Sequence, residues 1–192
     1  MFLLFKAFVL RNSQFAVRNS IKKELFLRII GIDPGTIKMG VGVIEVNGKE
    51  IKLLSGETVK THAKKPLPER LKNLYDSLNE VFQIYRPDEC SLENVFFSKD
   101  PKAAIKIGEA RAIAMLVASQ FSVPISEYNP TKVKLAVCGN GRAQKHQVQF
   151  MIRSLLGLKK NPEPDTADAL AIAFCHHHNQ GLKNITKLAV GV

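Results

Sequence analysis

Four carboxylates stand in this sequence where an ordinary surface acid would be an odd choice: Asp33, Glu93, Asp165 and Asp168. Asp33 ends the isoleucine-rich run Leu27-Arg28-Ile29-Ile30-Gly31-Ile32, and Pro34-Gly35 turns the chain at once, so a buried strand delivers Asp33 to a sheet rim. Glu93 closes the short run Cys90-Ser91-Leu92 in the same manner. Asp165 and Asp168 lie three apart, on one face of a helix that is otherwise apolar through Ala167, Ala169, Leu170, Ala171, Ile172, Ala173 and Phe174. Asp-Pro-Gly is also common turn chemistry, and an Asp in a first helical turn caps the helix and complements its dipole. That explains Asp165 well and Asp168 poorly, because Asp168 stands where the helix has already become core. Brought together, such acids repel one another and take up protons unless cations compensate them. All-oxygen ligation without His or Cys suits Mg²⁺ or Mn²⁺. Two such ions about 3.5–4 Å apart activate a water, stabilise a leaving oxygen and clamp a phosphate. On a basic chain this chemistry is phosphodiester hydrolysis.

The elements needed to position these acids are readable in order. Met39 to Val46 is a second strand, Asn47-Gly48 a hairpin signal, and Glu50 to Val59 a third strand, which makes a meander. Leu67, Leu71, Leu74, Leu78, Val81, Phe82 and Tyr85 recur at helical spacing up to Arg86-Pro87. A strand reached from Asp88 through this helix crossover runs parallel to the strand it joins, so Glu93 finishes at the rim of Asp33. Phe96 and Phe97 follow in a loop, as a buried anchor or as a platform for unstacked bases. Pro101 to Phe121 is a helix apolar nearly all round, which needs covering on more than one side, by a second copy of the chain or by the rest of one domain. Val123 to Tyr128 is the fifth strand, Asn129-Pro130-Thr131 starts another helix, and Gln147 to Leu158 forms a further one. Lys132, Lys134, Arg142 and Lys145 surround the turn Cys138-Gly139-Asn140-Gly141, where phosphate contact and plain solvation both fit. The basic run Lys60, His62, Lys64 and Lys65 reads as a solvated loop.

With 192 residues, 45% of them apolar, the chain has material for one well-buried domain. A formal charge of +11 favours a polyanionic partner such as nucleic acid. Cys90, Cys138 and Cys175 include no CxxC pair, which argues against a disulfide framework or a zinc site and for a reducing compartment. No apolar run approaches the ~20 residues of a membrane span, so no membrane partner is expected. Residues 1–26 carry Lys6, Arg11, Arg18, Lys22 and Lys23 against Glu24 alone, and read as a basic extension outside the fold or as an organelle leader. Cys175-His176-His177-His178 are consecutive at a helix end and cannot all face one ion.

The strand Ile29-Ile30-Gly31-Ile32-Asp33-Pro34-Gly35-Thr36, the Glu93-Asn94-Val95-Phe96 step, and Asp165-Thr166-Ala167-Asp168-Ala169-Leu170-Ala171-Ile172-Ala173 together resemble the RuvC crossover junction endodeoxyribonuclease family, the bacterial Holliday junction resolvases. The likeness is collinear from Leu27 to His178, leaving residues 179–192 as a tail. The resemblance implies an RNase H-like α/β fold with a five-stranded mixed sheet, three antiparallel strands then two parallel ones, flanked by helices. It implies a homodimer packed through the Pro101 to Phe121 helix, with two sites that cut symmetrical strands of a four-way DNA junction. By position, Asp33, Glu93, Asp165 and Asp168 match catalytic and metal-binding carboxylates, Phe96 an aromatic that reaches junction bases, and Lys134 and Lys145 lysines near the scissile phosphate. The position of Asp165 is His in some relatives. The resemblance further implies Mg²⁺ as cofactor with Mn²⁺ as substitute, the RuvA–RuvB branch-migration machinery as partner, and a bacterial cytoplasmic location.

Rival readings are distinguishable. Actin-like ATPases share an Asp-x-Gly-Thr turn but need two such domains, for which 192 residues leave no room. An RNase H-like nuclease of ribosomal RNA precursors shares the opening Asp motif but lacks the Glu-Asn-Val-Phe step. A non-catalytic junction-binding protein would gain little from four clustered acids facing a polyanion.

Overall fold

Strand β1, Leu27–Asp33, lies at the centre of a five-stranded sheet in the order β3-β2-β1-β4-β5. The computed structural model describes residues 26–94 and 101–190, without the side chains of 101–103 and 181–190. Residues 1–25 of the basic extension, and Phe96, lie outside the described residues. Strand β2, Lys38–Asn47, pairs antiparallel with β1 and with β3, Glu50–Lys60. Gly48 makes the tight hairpin between them possible through its φ of 58°, a conformation that costs glycine nothing. Strand β4, Glu89–Glu93, is parallel to β1, and β5, Ile125–Tyr128, is parallel to β4. This is the mixed RNase H-like sheet that the sequence motifs imply.

Alternation along β1 separates two cores. Ile30 and Ile32 point to a layer made by helix α1, Leu67–Tyr85, and helix α2, Pro101–Gln120, where they meet Leu74, Leu78, Phe82, Ala110 and Ala114. Ile29 points the other way, with Ile44, to helix α3, Pro130–Cys138, helix α4, Lys145–Leu155, and helix α5, Pro164–Val190. Helix α1 stops at Arg86, left-handed with φ 46°, because the following Pro87 cannot continue the ladder. Asn129 starts α3 by accepting the Lys132 amide at 2.7 Å, and Pro130 occupies the first helical turn.

One expectation changes on inspection and another is narrowed. Helix α5 continues through Val190, well past His178, so the histidine run is mid-helical and does not complement a helix end. Helix α2 buries Ala110, Ala114, Val117 and Ala118 within the chain but leaves Ile105 at 62% and Leu116 at 50% exposure. The chain itself therefore covers one side of α2.

Helix α5 lies unusually close to the sheet because glycine replaces side chains beneath it. A Cβ on Gly31 would overlap the Ala169 carbonyl oxygen, and one on Gly40 the carbonyl oxygen of Asp165. The obstacles are helix backbone, which cannot swing away as a side chain would. Since Asp165 and Asp168 ride on α5, this approach also sets their height above Asp33. Gly31→Ala should destabilise the fold by about 1–3 kcal/mol, the usual scale of core overpacking. The urea midpoint of the metal-free protein reads this directly, and an unchanged midpoint would contradict the close packing.

Candidate active site

Strand geometry brings the acids together. Ile30 and Ile32 face α1 and α2, and Gly31 faces α5, so Asp33, two residues on from Gly31, also faces α5. Cys90 and Leu92 face α1 and α2, which puts Glu93 on the α5 side. Because β4 is parallel to β1, with Ile32 beside Leu92, both carboxylates emerge side by side at one rim. The N-terminal turns of α5 bring Asp165 and Asp168 over that rim. Lys145, first residue of α4, places Nζ 3.4 Å from the Asp168 Oδ2. Lys134 on α3 is near enough for its charge to act on Glu93 and Asp168.

The electrostatics follow from this crowding. Burial first, then the charges of Glu93, Asp168 and Asp165, together raise the Asp33 carboxyl to about 8, with Lys145 opposing. Burial likewise raises Glu93, as does the charge of Asp168, while a hydrogen bond with Asp33 and the two lysines counteract. Asp168 is raised by burial against the pull of Lys145. Lys145 is held charged, chiefly by Asp168. Burial and mutual repulsion thus favour a proton held by the Asp33–Glu93 pair. As placed, no three Asp, Glu, His or Cys side chains among the described residues close to the spacing of a single bound ion. The acids meet through a hydrogen bond and through charge.

Supporting contacts include residues that motif reading passed over. The Asn94 amide donates to the Tyr128 carbonyl at 2.8 Å, which holds the end of β4 beside β5 just beyond Glu93. Arg111 of α2 forms an ion pair with Glu127 and lies 3.4 Å from the Asn94 Oδ1. Its only sequence signal is a lone cation in Ala110-Arg111-Ala112. On the other flank Thr58 and Thr166 hydroxyls bond at 2.9 Å, and Lys60 reaches Glu163 at 2.9 Å, so β3 grips the start of α5. His176 is buried, with Nδ1 2.7 Å from the Tyr128 hydroxyl and Nε2 against Glu89. It belongs to a core polar network, away from the acid cluster.

Comparison with known proteins follows the same outline. The family model "Crossover junction endodeoxyribonuclease RuvC" matches residues 29–176. A crossover junction endodeoxyribonuclease RuvC of Dehalococcoides mccartyi is 45% identical over 161 residues, covering 83% of this chain and 98% of that protein. Among solved structures, T. thermophilus RuvC in complex with a Holliday junction substrate superposes with a TM-score of 0.77 at 37% identity, covering 82% of this chain and 96% of that one. The yeast mitochondrial Holliday junction resolvase Ydc2 shares the fold at a TM-score of 0.57 and 11% identity, over 84% of this chain and 86% of that one. A match over most of the chain, at this identity and with the acid-bearing strand ends and helix inside the matched span, places the protein in the RuvC crossover junction endodeoxyribonuclease family.

Proposed function

We propose that this protein is a structure-specific endonuclease that resolves four-way DNA junctions by paired symmetrical nicks, through metal-dependent phosphodiester hydrolysis. The observation that carries the reading is the meeting of Asp33, Glu93, Asp165 and Asp168 at one sheet rim beside Lys145 in a RuvC-family chain. Nucleases of the family are metal-dependent. The residues present fit a hard divalent cation: the donors are carboxylates alone, and burial leaves Asp33 and Glu93 in need of positive charge. Mg²⁺, two ions per site, is the cofactor we propose, with Mn²⁺ as substitute, held by Asp33, Glu93, Asp165 and Asp168. When bound, such ions supply charge stabilisation at the phosphoryl oxygens and a more acidic water.

The chain's own part is to orient and to compensate charge. Asp33 and Glu93 would hold the cation as deprotonated carboxylates, their shared proton passing to solvent as the ion's charge took its place. Lys145, exposed at 74% and kept charged by Asp168, can turn from that carboxylate to the phosphate as negative charge builds there. Lys134 extends the positive field along the same side. The exposed Ile105 and Leu116 of α2 support the homodimer, which would place two sites on one junction. Partnership with RuvA–RuvB and a bacterial cytoplasmic location remain proposals supported by family membership.

Asp168→Asn conserves shape and removes charge. It should lower Mg²⁺-dependent cleavage of a synthetic four-way junction by at least about 100-fold, the scale of losing one electrostatic stabiliser, while junction binding stays within a few-fold. Retained cleavage would contradict the assignment. The pH dependence has a definite sign. Asp33 is raised from its ordinary 3.8 to about 8 in the fold, so the metal-free fold binds the extra proton and loses stability as pH rises across that window. Added Mg²⁺ should therefore stabilise the protein more at the upper end of the window than at neutral pH, as read by the urea midpoint. A Mg²⁺ effect that shrinks as pH rises would be contrary.

A further inference from the structure

A second group of cations borders the acids on the side away from Lys134 and Lys145. Strands β1 and β3 run the same way, each being antiparallel to β2, so β3 ends at the rim where Asp33 emerges. Lys38 and Lys60 face each other across that end. The loop to α1 and the first turn of α1 then add His62, Lys64, Lys65 and Arg70. In the sequence this run reads as solvated; its place on the rim gives it a different meaning.

The charges divide into matched and unmatched ones. Lys60 lies 2.9 Å from Glu163, and Lys65 lies 3.7 Å from Glu69. Lys38, Lys64 and Arg70 have no carboxylate within 4.0 Å among the described residues, although Lys38 still acts on Glu163 through its field. Arg70 is the informative one. Its Nη1 donates to the Thr36 carbonyl at 3.3 Å and to the Thr36 hydroxyl at 3.1 Å, and its Nε is buried with no partner. A guanidinium is always charged, and one sunk among neutral partners gains from an anion. Thr36 is itself buried and fixed: the Thr61 hydroxyl donates to the same carbonyl at 2.7 Å, and the Thr61 amide donates to Ile37 at 2.9 Å. The cation is thus tied to the turn that leaves Asp33.

The anion is an extended one, since Lys38 and Lys64 are exposed along the rim instead of converging on a point. Strands lie about 4.8 Å apart, so β3 is roughly 10 Å from β1. At an axial rise of about 3.4 Å per nucleotide for a strand lying with its duplex axis across the rim, and more for a strand followed along its own backbone, that is roughly one to three nucleotides. Resting on the junction-nuclease reading above, we propose that Lys38, Lys64 and Arg70 form a second phosphate seat, which holds the DNA backbone roughly one to three nucleotides from the scissile phosphate.

The test uses the full-length protein and a synthetic four-way junction. Lys38→Ala combined with Lys64→Ala changes two exposed side chains, and far-ultraviolet circular dichroism verifies the fold. Lys72→Ala serves as a charge control, because that ammonium is paired with Asp76 at 2.6 Å on the surface of α1. The double variant should bind the junction roughly tenfold more weakly at moderate salt, with a salt slope lower by about 2, or about 1 per phosphate contact. Ethylation of a phosphate roughly one to three nucleotides from the nick should weaken the wild type and leave the double variant unaffected. An unchanged slope, an equal fall in Lys72→Ala, or interference confined to the nicked step would overturn the seat while leaving the nuclease reading intact. A wild type that does not cut junctions would instead remove the reading on which the seat rests.

Discussion

Like charges are forced together at the rim of the sheet, and the elements around them are placed to hold them there. Asp33 and Glu93 are side by side because β1 and β4 are parallel neighbours. Asp165 and Asp168 descend on them because α5 rests almost directly on Gly31 and Gly40. No part of this is cheap. Burial and mutual repulsion push the carboxyls of the Asp33–Glu93 pair up, Asp33 to about 8, and Asp168 keeps Lys145 charged beside it. A fold that needed only stability would not assemble such a group. One that needs a hard cation and a phosphate in the same place has reason to.

The remaining architecture resists that repulsion. Thr58 with Thr166 and Lys60 with Glu163 tie β3 to the start of α5, the helix that carries two of the acids. Asn94 is anchored to Tyr128, and Arg111 stands beside it, so the strand end bearing Glu93 is fixed from the side of β5 and α2. Arg70 and Thr61 brace Thr36 and Ile37, just beyond Asp33. Each acid is thus supported by an element other than its own. Cations lie on both flanks of the rim, Lys134 and Lys145 on one and Lys38, Lys64 and Arg70 on the other, as suits a strand of DNA laid across it.

Much of this was legible in the residues, for local reasons. An isoleucine run ending in Asp-Pro-Gly, a hairpin at Asn47-Gly48, and two acids three apart on an apolar helix are patterns of period and turn chemistry, and they located β1, β2, β3 and the acid-bearing face of α5. What stayed hidden was tertiary. Gly31 and Gly40 look like interruptions in apolar strands until a helix backbone is seen against them. Arg70 looks like one more surface cation in α1, and its bonds to Thr36 span a sequence gap that no local pattern bridges. The histidine run suggested a helix end because apolar spacing fades there, yet the helix goes on to Val190, with His176 held by Tyr128 and Glu89 from two different strands.

If crowding makes these acids costly until a cation compensates them, removing one charge should be a gain in the absence of metal. Comparing the unfolding midpoint of Asp33→Asn with that of wild type, both metal-free and at a pH above about 8, tests it most directly. The variant should be the more stable of the two and gain little from added Mg²⁺, because it has lost a repelling charge and a proposed ligand for the cation together. A variant less stable than wild type under those conditions would contradict it.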